Sequence, residues 1–163
     1  MSVNDNYDFN FILESVTLTG KRIRLEPLIP SVHAEELYEV SHVNPESRKV
    51  FDYLPYGPFN TYQEFLNFLN GPRIKGDNHT ILFCIIDIVS EKKIGIAGYL
   101  DTQPIHKKIE LVIYGSYHHF NEHMLIQKQI FFYYNMHLNL LNILELHGNV
   151  ILIILIHVNL LKD

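Results

Sequence analysis

The chain has 163 residues, a formal net charge of −5, and hydrophobic and charged fractions of 47% and 19%. This length and composition predict one folded domain with a single substantial core, and they exclude a wholly disordered chain. The acidic balance argues against a nucleic-acid partner, and the single cysteine excludes a disulfide framework and favours a cytoplasmic protein.

The N-terminal part predicts a leader, a hairpin and a helix. Residues 1–15 open with a polar, acidic stretch, and we expect a flexible leader there. Residues 16–26 are rich in Thr, Ile and Leu around Gly20, which favours a bent strand or a hairpin. Ser31 has the right side chain to cap a helix over 31–42.

An aromatic stretch separates this helix from a second one. Residues 52–59 read Asp-Tyr-Leu-Pro-Tyr-Gly-Pro-Phe, and the prolines and glycine favour a loop. Thr61 and Glu64 have the spacing of a capping box, which predicts the start of the second helix. Gly71 and Pro72 predict its end.

Three strands follow, and a weaker pattern comes after them. Residues 80–88 are apolar almost throughout, as expected of a strand covered on both faces, and 94–101 predict the return strand. The run 109–114 predicts a strand deep in the sheet. The order predicts an α+β fold: a strand, two helices packed on the sheet, and an antiparallel meander. A degenerate helix over 131–146 and a strand over 150–161 complete it, and the latter run is too short to span a membrane.

Several segments of the first two thirds of the chain together carry a family resemblance. They are Leu25-Glu26-Pro27-Leu28, His33 with Glu35-Glu36-Leu37, Tyr53-Leu54-Pro55-Tyr56-Gly57-Pro58-Phe59, Ile94-Gly95-Ile96-Ala97-Gly98-Tyr99 and Ile109-Glu110. In this combination they resemble the GNAT N-acetyltransferases, and within them the branch of the ribosomal-protein alanine acetyltransferases. The aromatic loop is the most specific segment. We therefore expect 16–115 to be the N-terminal part of a GNAT-like acetyltransferase domain.

The resemblance implies a fold and a co-substrate. The fold is a three-layer, GNAT-like α/β arrangement in which the strand at 109–114 splays away from its parallel neighbour. The co-substrate is acetyl-CoA, whose pantetheine arm hydrogen-bonds to the exposed backbone of that strand, as an added strand would. The cofactor-binding residues are then Leu111, Val112 and Ile113.

The resemblance also implies a reaction, which is acetyl transfer to a primary amine on a small molecule or a peptide. Glu110, the only acid on the strand, is the expected general base that takes a proton from the attacking amine. A solvated or salt-bridged carboxylate is the alternative for this residue. Tyr53, Tyr56 and Phe59 are expected to line the acceptor cleft, and they suit a hydrophobic plug between the helices equally well.

The segment 116–163 departs from the family pattern. The family's phosphate-binding segment and a later Trp-Lys-Cys motif are both absent, and the cations, apart from any charged histidine, are Lys128 and Lys162. One shifted reading frame permits both motifs, the first over 119–129 and the second over 147–156. We therefore expect a frameshifted tail and impaired acetyl-CoA binding. The alternative is an inactive remnant or a non-catalytic interaction module.

A metal-binding pattern lies in the same segment. His119, Glu122 and His123 match H-x-x-E-H, in which two histidines one helical turn apart hold Zn²⁺ and the glutamate acts as base. A zinc hydrolase is therefore a remote alternative. A match of this length is common by chance, and out-of-frame codons also account for the histidines, so no metal site is predicted.

Overall fold

The computed structural model describes residues 16–75, 80–103, 108–115 and 151–157, with side chains for 16–49, 51–52, 54–75 and 80–99. The helices are α1 (Pro30–Tyr38), α2 (Pro45–Arg48), α3 (Tyr62–Leu69) and α4 (Pro72–Lys75), with a π-helical turn at Glu39–Val43 and a 3-10 turn at Lys49–Tyr53. The strands are β1 (Leu18–Thr19), β2 (Ile23–Pro27), β3 (Ile81–Asp87), β4 (Lys93–Gln103), β5 (Lys108–Gly115) and β6 (Ile151–His157).

The described strands form one six-stranded sheet in the order β1 to β6. Each neighbouring pair from β1 to β5 is antiparallel, and β6 runs parallel to β5. The α+β fold is confirmed, with the hairpin at the start and the meander of β3, β4 and β5. The strand at β6 falls inside the run predicted as a strand. No helix in the described part of the chain has the length and apolar character needed to cross a membrane.

The start of α1 differs from the prediction. Ile29 is the N-cap and Pro30 is the first helical residue, so Ser31 lies inside the first turn instead of capping it. Proline suits this position because the N–H it lacks would have no partner within the helix. The regular helix ends at Tyr38, and the π-helical turn continues the chain to Val43.

The predicted start of α3 is confirmed. The Thr61 hydroxyl accepts a hydrogen bond from the Glu64 N–H at 3.2 Å. The Glu64 carboxylate accepts from the N–H of Asn60, one residue before the N-cap, at 2.9 Å. Both bonds occupy backbone groups at the entry to the helix. The helix ends at Leu69, ahead of the glycine and proline that predicted its end.

The core on the helix side of the sheet joins α1 and α3 to β3 and β4. Its buried residues are Ala34, Leu37, Phe51, Phe65, Leu69, Cys84, Ile86 and Ile96. Side chains alternate between the two faces of a strand, so Phe83 and Ile85 lie on the opposite face of β3. They are 1% and 0% exposed, which confirms that β3 is covered on both faces.

Gly98 sets how closely β3 and β4 approach. A Cβ atom at this position would meet the backbone oxygen of Ile81 and the side chain of Leu82. Gly98 and Leu82 are register partners, so the two strands approach each other where a side chain is missing.

The predicted leader at 1–15 and the predicted helix at 131–146 lie outside the described residues.

Candidate active site

The aromatic loop was predicted over 52–59, but residues 52 and 53 belong to the 3-10 turn, and the loop of residues 54–59 packs against α3. Phe59 lies 5.0 Å from Phe68 and 5.5 Å from Phe65, measured between ring centroids. The Tyr56 ring lies 4.7 Å from the Phe68 ring, and the Arg73 guanidinium lies 5.9 Å from the centre of the Tyr56 ring. Tyr56 and Phe59 therefore both pack against the same helix, α3. The side chain of Tyr53 lies outside those described.

The turn of this loop depends on Gly57. Its φ of +71° is in the left-handed region, where a residue with a side chain is strained. A Cβ atom would also lie 2.6 Å from Cδ1 of Phe51. Glycine therefore lets the loop close over the buried Phe51 ring.

His42 connects the loop to α1. The N–H of Phe59 donates to Nε2 of His42 at 3.1 Å. A backbone N–H only donates, so Nε2 carries no proton and Nδ1 carries the ring proton. Nδ1 then donates to the Ser41 hydroxyl at 2.7 Å, and that hydroxyl donates to the backbone oxygen of Leu37 at 2.6 Å. The ring is neutral, and both of its nitrogens have a partner.

Burial keeps His42 neutral. The residue is 3% exposed, and burial lowers its pKa to about 4 because a charged ring would lose its hydration. The positive charge of Arg48 contributes to this lowered pKa, and the backbone of Tyr38 acts against it. The ring stacks on Tyr38 at 4.4 Å and lies 4.6 Å from the ring of Phe51. The loop is thus fastened to a buried, uncharged acceptor.

A second buried histidine lies at the other end of α1. Nδ1 of His33 accepts from the N–H of Ile29, the N-cap residue, at 3.1 Å. Its Nε2 lies 3.6 Å from the carboxylate of Glu26 on β2. Burial lowers the pKa of His33, and the charge of Lys93 acts in the same direction against the opposing effect of Glu26. His33 therefore fixes the start of α1 to the sheet.

Glu36 ties the middle of α1 to the start of β4. Its carboxylate accepts from the backbone N–H of Lys93 at 2.9 Å and from Nζ of the same residue at 2.7 Å. Burial opposes ionisation of Glu36, but the hydrogen bonds from Lys93 outweigh it and lower the pKa of the carboxyl group. His33 and Glu36 thus hold the start and the middle of α1 to the sheet, and His42 fastens the π-helical turn that follows the helix.

The expected base and cofactor residues lie on β5. Glu110 pairs with Leu100 of β4 and with Ile153 of β6. The side chain of Glu110 lies outside those described, as do the side chains of the three residues that follow it, Leu111, Val112 and Ile113. The structure places these residues in the sheet interior by register.

The described residues do not fit the pantetheine arm of acetyl-CoA. Binding as an added strand requires an open strand edge with free N–H and C=O groups. β5 is instead paired with β4 on one side and with β6 on the other. The ladder with β6 runs through seven consecutive positions, from Lys108↔Ile151 to Tyr114↔His157. The implied splay is therefore absent over the described length, and the backbone groups that a ligand would use are taken by a strand.

The segments expected for phosphate binding and for the zinc pattern lie outside the residues that the structure describes. The segment after Gly115 that would carry a phosphate loop lies outside the described residues, and so do His119, Glu122 and His123. Among the described residues, no group of three or more His, Cys, Asp or Glu side chains could hold a metal ion.

Comparisons with known proteins identify the fold. No family model matches the chain, and no curated protein matches its sequence. A GCN5-related N-acetyltransferase from Brucella melitensis matches it with a TM-score of 0.67 and 24% identity, over 78% of this chain and 57% of that one. The chain has the GNAT acetyltransferase fold.

Other solved structures agree with this fold. A Chromobacterium violaceum protein assigned to the GNAT family has a TM-score of 0.63 and 21% identity, over 78% of this chain and 64% of that one. A chimera of the spermidine N-acetyltransferase SpeG from Vibrio cholerae and hSSAT has a TM-score of 0.56 and 16% identity, over 75% and 66%. The chain thus spans about two thirds or less of each of these GNAT structures. The ribosomal-protein branch stays a prediction.

The anchor of the loop at Ser41 and His42 was not predicted from the sequence. Ser41 and His42 lie between two valines near the end of a predicted helix, where polar residues usually face water. The π-helical turn buries both of them, at 5% and 3% exposure. A π-helical turn has no simple pattern of spacing. The available signal was a pair of polar residues between two valines, ahead of the aromatic stretch in the sequence.

Proposed function

We propose that this chain is a GNAT N-acetyltransferase domain by descent, and that acetyl-CoA binding is impaired in it. The reaction of that lineage is acyl transfer to a primary amine on a small molecule or a peptide. The GNAT fold supports the descent. The uninterrupted ladder between β5 and β6 supports the impairment, because it leaves no open edge for a strand-like ligand.

Charge supports the same proposal. A pyrophosphate is bound by backbone N–H groups at a loop and helix N-terminus, usually with cationic side chains close by. The chain after Gly115 contains Lys128, Lys162 and six histidines as its sources of positive charge, and it contains no arginine. Most of the charge that would hold a diphosphate is therefore missing from the sequence.

The proposed roles follow the GNAT pattern residue by residue. Glu110 is the proposed general base of the lineage, because it is the one acid on the strand that lines the reaction centre in this fold. Tyr53, Tyr56 and Phe59 are the proposed acceptor-side residues. The packing of Tyr56 and Phe59 on Phe68 supports a shared surface for them.

A frameshift near 115–118 is the proposed origin of the tail. One shifted frame permits the phosphate-binding segment at 119–129 and the Trp-Lys-Cys motif at 147–156. Sequencing the gene across codons 112–157 tests this origin. Codons that yield both motifs in one frame support it, and codons that cannot yield them refute it.

Acetyl-CoA binding and transfer are measured separately. The unfolding temperature is recorded with and without about 1 mM acetyl-CoA, because a ligand at 100 times its Kd stabilises a protein by about 2.7 kcal/mol. Radiolabelled acetyl transfer is measured with spermidine and with a peptide that has a free N-terminus. We expect no thermal shift and no transfer.

A frame-restored chain is the matched control. It keeps residues 1–115 and carries the shifted reading of the codons for 116–163. We expect it to be stabilised by acetyl-CoA. A thermal shift and transfer by the present chain would contradict the proposed impairment, and failure of the restored chain to bind acetyl-CoA would contradict the proposed descent.

A further inference from the structure

The structure points to His42 as a positioning residue: we propose that its neutral ring holds the aromatic loop closed and that its protonation releases the loop. This proposal concerns the conformation of the loop and does not depend on acetyl transfer. The loop contains Tyr56 and Phe59, so its position also decides whether these rings form one surface.

The hydrogen bond from Phe59 requires the neutral ring. Nε2 of His42 accepts from the Phe59 N–H at 3.1 Å. A protonated ring carries hydrogens on both nitrogens and accepts nothing. Protonation would therefore place two N–H donors against each other at a buried position, and the Phe59 N–H would lose its partner.

The surroundings of the ring also disfavour its charged form. α2 contributes Arg48, whose positive charge acts against protonation. α1 contributes the Tyr38 ring, the 3-10 turn contributes Phe51, and α3 contributes Phe65 at 5.3 Å. These rings attract a cation weakly through their faces, but they cannot replace the hydration that burial removes. Among the described groups, Arg48 is the charge that acts against protonation of the ring, and the backbone of Tyr38 acts in the opposite direction.

Release would be confined to the loop, since its two ends have anchors of their own. At the C-terminal end, the backbone of Asn60 donates to Glu64 at 2.9 Å and accepts from the Tyr38 hydroxyl at 3.1 Å. At the N-terminal end, the Leu54 N–H donates to the Phe51 oxygen at 3.1 Å. None of these bonds involves His42. Between these ends, the Phe59 N–H is bonded to His42, and the rings of Tyr56 and Phe59 pack against Phe68 of α3.

His33 provides a matched comparison. It is also buried, it also accepts a backbone N–H through one ring nitrogen, and burial also lowers its pKa. Its bond fixes Ile29 at the start of α1, and its other nitrogen faces Glu26 on the sheet. Replacing His33 with a residue that does not titrate should leave the loop's response to pH unchanged.

The experiment measures hydrogen exchange at the Phe59 amide by NMR, corrected for the intrinsic rate, between about pH 7 and pH 4. We expect the open loop to expose His42 to water and to return its pKa towards the ordinary value of 6.5, from about 4 in the closed loop. One proton is then linked to opening, so the opening constant should rise by up to about tenfold for each pH unit lost between these values. The Ile96 amide on β4 serves as a reference for global unfolding.

Two variants separate the contribution of His42 from that of His33. In His42→Gln, a carboxamide oxygen can accept from Phe59 without titrating, and we expect the pH dependence at Phe59 to disappear. In His33→Gln we expect it to persist. Protection at Phe59 that does not change with pH in the wild type, or that changes equally in His42→Gln, would overturn the proposal. Equal opening free energies at Phe59 and Ile96 at every pH would overturn it as well, because the Phe59 amide would then exchange only when the whole chain unfolds.

If His42→Gln does not fold, the wild-type ring itself is titrated through its nitrogen chemical shifts. We expect a neutral ring protonated on Nδ1 down to about pH 5. A ring that titrates near its ordinary pKa, or one protonated on Nε2, would overturn the proposal.

Discussion

The region around α1 and the edge formed by β5 and β6 differ in the kind of contact that holds them together. Around α1, buried polar groups meet specific partners: His42 meets Phe59 and Ser41, and His33 meets Ile29. At the β5–β6 edge, the contacts are backbone pairs between two apolar strands. Strand pairing needs little more than β-branched apolar residues, whereas ligand binding needs donors at defined places. A fold can therefore persist where a binding site does not.

The largest effect is expected from emptying the aromatic core around α1. Phe65 is 1% exposed and packs against Tyr38, His42 and Phe59. Phe65→Ala should lower the free energy of unfolding by about 4 kcal/mol, because it leaves a cavity among these rings. Urea unfolding measures it. Val43→Ala is the control, since Val43 is 71% exposed, and an equal loss in both variants would contradict the packing described for α1.

The next effect in size is the dependence of stability on pH. His42 has a folded pKa of about 4 against 6.5 in the unfolded chain, so the unfolded chain binds more protons between these values. Stability is then full above about pH 6.5, falls as the pH is lowered, and has lost about 3 kcal/mol at pH 4. His33 contributes in the same direction. Urea unfolding at a series of pH values tests this, and a flat profile between pH 7 and pH 4 would contradict the neutral, buried histidines.

The fold and the site differ in how far the sequence predicted them. The meander follows from apolar runs such as 80–88, because strand burial leaves a recognisable apolar signal, whereas the register is known only from the structure. The His42 anchor left no such signal, since it depends on a π-helical turn and on a loop that returns 17 residues later. The cap at Ser31 was wrong because Pro30 and the side chain of His33 organise the helix start instead.

The contact between β3 and β4 offers a third test, since these strands lie between the region around α1 and the β5–β6 edge in the sheet. Gly98→Ala would push a Cβ atom against the backbone oxygen of Ile81 and should cost about 2 kcal/mol, because backbone cannot move aside as a flexible side chain can. The free energy of unfolding in urea measures this cost. Val89→Ala is a suitable control, since Val89 is 87% exposed in the turn between the same strands. A neutral Gly98→Ala would contradict the close approach of β3 and β4.

The smallest effect is expected at the tether between α1 and β4. Glu36→Gln keeps an acceptor for the Lys93 N–H but loses the ion pair, and should cost about 1 kcal/mol at neutral pH. Glu46→Gln removes a more exposed ion pair with Lys49 and should cost less than about 0.5 kcal/mol. Thermal unfolding of both variants at low and high salt makes the comparison. A larger loss in Glu46→Gln would reverse the ranking given to these two contacts.

Hydrogen exchange at the amides of 109–114, with and without acetyl-CoA, tests the closed strand edge most directly. β5 is paired with both neighbours, so we expect these amides to be protected in the free chain and unchanged by about 1 mM acetyl-CoA. Acetyl-CoA that adds protection at Leu111 to Ile113, together with transfer to an amine, would contradict the account.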